Sequence, residues 1–258
     1  MKLKDQTALV TGASRGIGRS IALALAKEGA DVAITGRDAE LLEALQAEIE
    51  QNGVRCLSIV ADLARRDAVD TIWAGCQKGL GHIDILVNNA GIGSSADPKP
   101  VINFDDDFWE LTLYINLTVP YLLCKKTLPG MVARQYGRII NIASINSRVG
   151  SIHGAAYAAS KHGLLGLTRS LAMEVAKEGI TVNAICPGPV RTLINDKRIA
   201  YDAERLGVSV SEIEAKATPL GRRLEADEIA PLAVYLASRE AAVVNGQGFN
   251  IDGGLVMS

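Results

Sequence analysis

Short apolar runs rich in Val and Ile recur along the chain: TALVTG, DVAITG, LSIVAD, IDILVNNAG, GRIINIAS, ITVNAICPG and FNIDGG. None of them alternates apolar with polar residues in the way a half-exposed strand does. They therefore read as strands buried on both faces. Between them lie longer stretches with helical periodicity: IALALAKEG, LLEALQAEIEQNG, the segments 104–134 and 155–177, and 227–238. Strands of this kind separated by helices predict a single-domain, doubly wound α/β fold, a parallel sheet (Rossmann fold) with helices on both faces. No linker, low-complexity tract or internal repeat divides the chain, so residues 1–258 are expected to form one domain. The segment 191–219 breaks the strand–helix rhythm and reads as a lid-like insertion of about 190–219.

Composition narrows the function more than it does the fold. The 258 residues are 48% hydrophobic and 22% charged, with a formal net charge of −2. That balance supplies no concentrated basic face for nucleic acid or an anionic membrane. A small-molecule substrate is expected, with no nucleic-acid and no membrane partner. The N-terminus runs straight into a strand without a secretory leader, and no run reaches the ~18 apolar residues of a membrane span. Cys56, Cys76, Cys124 and Cys186 show neither CxxC spacing nor a His/Cys cluster. They read as small buried hydrophobes, no metal is expected, and a cytoplasmic location fits.

Two stretches carry chemistry. TGASRGIG, Thr11 to Gly18, closes the first strand and opens the first helix. Glycines there permit a tight turn, and the helix offers unpaired N–H groups and a positive dipole end to a pyrophosphate. A loop that merely turns the chain is the plainer alternative, but its position between the first strand and first helix favours the nucleotide. In YAASK, Tyr157 and Lys161 are four residues apart, one helical turn, which puts an ammonium beside a phenol. A surface pair that only supports a helix is again the plainer reading.

Taken together, TGASRGIG, NNAG at Asn88 to Gly91, Asn116, Ser144, Tyr157 with Lys161, and CPG at Cys186 to Gly188 resemble, in order and across essentially the whole chain, the short-chain dehydrogenase/reductase family. The resemblance implies an NAD(P)-dependent oxidoreductase acting on CH–OH groups, with Tyr157 as general acid and base. Lys161 would lower the pKa of Tyr157 and hold the nicotinamide ribose, Ser144 would hold the substrate oxygen, and Asn116 would bind a water linking Lys161 to solvent. The implied cofactor contacts are Gly12, Ser14, Arg15, Gly16, Ile17, Gly18, Arg37, Asp62, Leu63, Asn89, Ala90, Gly91, Tyr157, Lys161, Pro187, Gly188, Val190 and Thr192. Asp62 is also readable as a helix cap. His153 is either a pocket residue or an ordinary loop residue, and His162 points off the catalytic face.

NADP(H) is the expected cofactor, with NAD(H) the alternative. The place where an acid would bond the adenosine ribose holds Gly36 followed by Arg37, and Arg15 inside TGASRGIG is expected to approach a 2′-phosphate from the other side. Asp38 either caps the following helix, the favoured reading, or reaches the ribose. The expected substrate is a small ketone or secondary alcohol, including sugars and polyols. A 3-oxoacyl carrier-protein reductase is the alternative, although relatives of that kind usually present basic side chains beside the site entrance, and the corresponding places hold Gln135 and Glu178. A non-catalytic dinucleotide-binding regulator is a distant third. Relatives are commonly homotetramers, and Leu164, Leu165, Leu167, Leu171 and Met173 exceed what one buried helix face needs.

Overall fold

In a computed structural model, which describes residues 1–257, seven strands build one sheet. They are β1 (Thr7–Thr11), β2 (Asp31–Gly36), β3 (Cys56–Val60), β4 (Ile85–Asn88), β5 (Gly137–Ile142), β6 (Ile180–Pro187) and β7 (Gly248–Ile251). Their spatial order is β3-β2-β1-β4-β5-β6-β7, and every neighbouring pair is parallel. β1, β5 and β6 are buried along their whole length, as strands covered by helices on both faces are.

Alternate residues of one strand feed opposite faces of the sheet. Val10 joins a core with the helices α1 (Gly16–Lys27), α2 (Ala39–Glu50) and α9 (Ala230–Ala237), whereas Leu9 joins one with α3 (Ala68–Gly79), α5 (Val119–Arg134) and α6 (Ala155–Val175). The strand order reverses beside β1, between β2 and β4. Sheets of this kind bind ligands at such a reversal, beyond the carboxyl ends of the strands.

The segment 104–134 is two helices rather than one. α4 (Asp106–Leu113) runs through a π-helical turn, Tyr114–Thr118, into α5. The segment after β6 folds as two short helices, α7 (Leu193–Leu206) and α8 (Val210–Ala215). They are tied down by a nearly buried guanidinium: Arg223 Nη1 donates to Asp196 Oδ1 at 2.6 Å, and Arg223 Nη2 pairs with Glu214. A parallel bridge from Val190 to Leu224 closes the base of this lid.

Of the five apolar α6 residues named above, Leu164, Leu165 and Leu171 are core residues of this chain. Leu167 is half-buried, and only Met173, at 84% exposed, is left facing outward. The surplus expected of that helix is smaller than its sequence suggests, because α6 packs against both β6 and the neighbouring helices. Among the described residues no helix is long and apolar enough to cross a membrane, and no cluster of metal-ligating side chains occurs.

Candidate active site

The glycine loop is shaped for close approach of backbone. Gly12 (φ 63°) and Gly16 (φ 58°) are left-handed, a region that L side chains adopt only under strain. A Cβ on Gly12 would lie 2.8 Å from Ala90 Cα, and one on Gly18 would overlap the Asn89 amide. That amide joins the ends of β1 and β4, donating to Thr11 O at 2.9 Å and Gly12 O at 3.0 Å. Thr11 returns the link by accepting from the Asn89 and Ala90 main-chain N–H groups, both at 3.0 Å. α1 has no acidic residue in its first turn, so nothing opposes an anion at its N-terminus. These features fit a dinucleotide pyrophosphate.

At the end of β2, Arg37 is exposed and makes no ion pair among the described residues. Arg15 does not share that freedom, because its Nη2 lies 2.8 Å from Asp38 Oδ2. Asp38 caps α2 by accepting from Leu41 N at 3.2 Å. Capping thus describes Asp38, and the acid is already occupied by a helix and a cation. Asp62 is exposed and accepts from Ala64 N at 3.1 Å. This closes a local turn rather than capping α3, which starts at Ala68. Leu63 is a core residue, and Gly188 lies so close to Asp252 that a Cβ would come within 2.8 Å of its Cα. Thr192 caps α7 and lies against Gly16, so the root of the lid meets the glycine loop. Ser14 stands close to Gly36, Ile17 is half-buried against the core, and Pro187 ends β6.

Ser144 follows β5, and Tyr157 and Lys161 lie in the first two turns of α6, which packs on β6. Lys161, 4% exposed, donates to Ile142 O at 2.7 Å and stands 5.8 Å from the centre of the Tyr157 ring. Asn116 is fully buried in the π-helical turn, a rare conformation that is common at functional sites. Its amide accepts from Ile92 N at 2.8 Å and donates to Ile92 O at 2.9 Å and to Ser160 Oγ at 3.0 Å. Ser160 Oγ in turn donates to Tyr157 O at 2.7 Å. Both amide hydrogens of Asn116 are therefore used, and its side chain ties the loop after β4 to α6.

Burial, rather than the Tyr157–Lys161 pairing, dominates protonation within the chain. Desolvation pushes the Tyr157 phenol above its ordinary range, with the Ser144 hydroxyl pulling it the other way. Desolvation also brings Lys161 down to about 8. Of the influences on the Tyr157 phenol, the Ser144 hydroxyl is the one that lowers its pKa.

The match to a family model described as short chain dehydrogenase spans residues 6–202. This chain belongs to the short-chain dehydrogenase family. It is 40% identical to D-beta-hydroxybutyrate dehydrogenase of Cupriavidus necator over 98% of this chain and 99% of that protein. It is 35% identical to gluconate 5-dehydrogenase of Gluconobacter oxydans, over 99% and 96%. A single-residue variant of actinorhodin polyketide ketoreductase with NADPH superposes with a TM-score of 0.91 at 36% identity, covering 97% of each chain. This short-chain dehydrogenase is accordingly an oxidoreductase acting on CH–OH groups, in a family that binds NAD(P) and acts on hydroxy and keto compounds.

Beside Tyr157 the dehydrogenase has a small cleft lined by Gly93, Ser94, Phe108, His153 and Gly154 among others. The first turn of α7 closes on it: Ser95 Oγ donates to Ile194 O at 2.9 Å, and Ile194 packs on Gly93. His162 is exposed and bonds Ala158 O, away from the cleft. Gln135 and Glu178 lie just before the starts of β5 and β6, at the end of these strands opposite Ser144, and bond each other at 2.6 Å. Within one chain they are not at the entrance. Sequence reasoning missed Thr11, Ser160 and Tyr201. Ser160 lies inside YAASK, where its spacing gave it no role of its own. Thr11 and Tyr201 could be found only by long-range contacts.

Proposed function

We propose that the whole chain, 1–258, is one catalytic domain that moves a hydride between NADP(H) and a small ketone or secondary alcohol, a hydroxy or keto compound such as a sugar or polyol. The observation that carries this reading is the cleft lined by Tyr157, whose phenol is bonded by the Ser144 hydroxyl and has the Lys161 ammonium 5.8 Å from its ring centre. When bound, the nicotinamide supplies or accepts the hydride. Ser144 holds the substrate oxygen, and Tyr157 gives its phenolic proton to that oxygen in reduction or takes it back in oxidation. Lys161 holds the nicotinamide ribose and stabilises the phenolate, and Asn116 fixes the Ile92 loop against α6.

The cofactor contacts are Gly12, Ser14, Arg15, Gly16, Ile17, Gly18, Arg37, Asp62, Leu63, Asn89, Ala90, Gly91, Pro187, Gly188, Val190 and Thr192, together with Tyr157 and Lys161. Arg37, exposed and free of an acid, supports NADP(H) over NAD(H), because a guanidinium bonds a 2′-phosphate with charge assistance. The protein works in the cytoplasm as a homotetramer, with neither nucleic acid nor membrane as partner. A carrier-protein-dependent ketoacyl reductase is the second reading, favoured by the likeness to a polyketide ketoreductase.

Turnover of ketones, polyols and β-ketoacyl thioesters, followed through absorbance of the reduced cofactor with each dinucleotide, tests the proposal. Small ketones or alcohols should be turned over fastest, with the phosphorylated cofactor. Selective turnover of thioesters would install the second reading.

A further inference from the structure

His153 is one of three non-glycine residues with a left-handed backbone, at φ 57°. It sits in the loop between Ser144 and Tyr157 and lines the same cleft as Tyr157. A histidine held there costs about 1 kcal/mol or more unless its surroundings hold it in place. The surroundings are the lid. Tyr201 on α7 bonds His153 Nδ1 through its hydroxyl, and the two rings meet edge to face at 6.2 Å. One turn earlier on α7, Arg198 Nη1 donates to Ile152 O at 3.0 Å while its guanidinium is fixed by Asp202 at 2.7 Å. Two lid side chains thus grip two successive residues of the loop.

A phenol donates more readily than it accepts, because its oxygen lone pair is shared with the ring. A Tyr201 O–H donated to Nδ1 puts the ring proton on Nε2. Nε2 makes no hydrogen bond among the described residues. We infer that His153 is a substrate-binding residue whose Nε2–H donates to a second oxygen of the substrate, and that Tyr201 is a positioning residue that sets this tautomer when the lid is down. The substrate class is then a small ketone or alcohol carrying a further hydroxyl or carbonyl oxygen near the reacting carbon. This rests on the proposed function of the Tyr157 cleft.

The matched pair butanone and acetoin, which differ by one hydroxyl, tests it. The unmodified enzyme is expected to favour acetoin in kcat/KM by about tenfold, the usual net contribution of one hydrogen bond. His153→Asn keeps a residue tolerant of the left-handed backbone, and it should abolish that preference, with kcat/KM for acetoin falling about tenfold more than that for butanone. His153→Gln, which carries an N–H donor further out, should restore part of the preference. Tyr201→Phe should reduce it and shift the ring tautomer seen by nitrogen NMR of neutral His153 away from Nε2–H.

No preference for acetoin in the unmodified enzyme, an unchanged preference in His153→Asn, or equal losses on both ketones would overturn the inference. Turnover of no carbonyl compound at all would instead remove the proposed function. The tautomer then decides the His153 assignment by itself, with Nε2–H supporting it and Nδ1–H ending it.

Discussion

Lys161 and Tyr157 are one helical turn apart on α6, with the ammonium 5.8 Å from the centre of the phenol ring and bonded to Ile142 O. The pair is buried together. Each group is pushed toward its neutral form, the phenol upward and the amine down to about 8.

Replacing Tyr157 by Phe removes only the proton donor. Turnover should fall by at least about a thousandfold, and cofactor binding should stay within a few fold by fluorescence titration. Lys161→Ala should weaken both. Near-normal kcat in Tyr157→Phe would refute the assignment.

The Lys161 shift has a sign that stability measurements can read. An unfolded lysine keeps its proton up to its ordinary value of 10.5, while the folded one loses it near 8. Between these values the unfolded chain binds the extra proton, so this residue's contribution to stability rises with pH. Below the folded pKa its full cost applies, at most about 3 kcal/mol. Lys161→Met should therefore be more stable than the unmodified protein at neutral pH, by about 1–3 kcal/mol, and the gap should close as pH approaches about 10. A gap independent of pH in denaturant melts would show that the buried amine is not what sets it.

The raised phenol also fixes the direction of the activity profile. Alcohol oxidation needs the phenolate, so its rate should climb with pH above neutrality. Carbonyl reduction uses the phenol and should hold steady through neutrality. Parallel profiles for the two directions would contradict this.

Gly18→Ala should test the loop. The added methyl overlaps the Asn89 amide and approaches Gly12 O to 2.5 Å, and both are parts of the brace between β1 and β4. A loss of about 1–3 kcal/mol in stability and a weakening of cofactor binding by more than about tenfold are expected. Wild-type cofactor affinity would show that the loop yields without cost.

Arg37→Asp should weaken NADP(H) far more than NAD(H), by about a hundredfold in relative kcat/KM, since a carboxylate repels the 2′-phosphate that a guanidinium binds. An unmodified enzyme that works equally well with NAD(H) would exclude the NADP(H) preference.

By itself the sequence determined the seven strands, their parallel pairing and the glycine turn. Unbroken apolar runs can be satisfied only by helices on both faces, and left-handed turns select glycine. It also placed Tyr157 and Lys161 together, because four residues on a helix are a local distance. Asp38 as a cap was legible for the same reason. The tertiary structure decided what depends on partners far along the chain. Arg15 is spent on Asp38, Asn116 is used by Ile92 and Ser160, and Leu164, Leu165 and Leu171 are core rather than surface. It also brought Gln135 to Glu178 at the amino ends of β5 and β6, and Tyr201 to His153 across 48 residues. Protonation followed the same division. Spacing puts an amine beside a phenol, but how much water each keeps is set by every element packed around them, and here desolvation is the largest influence on each.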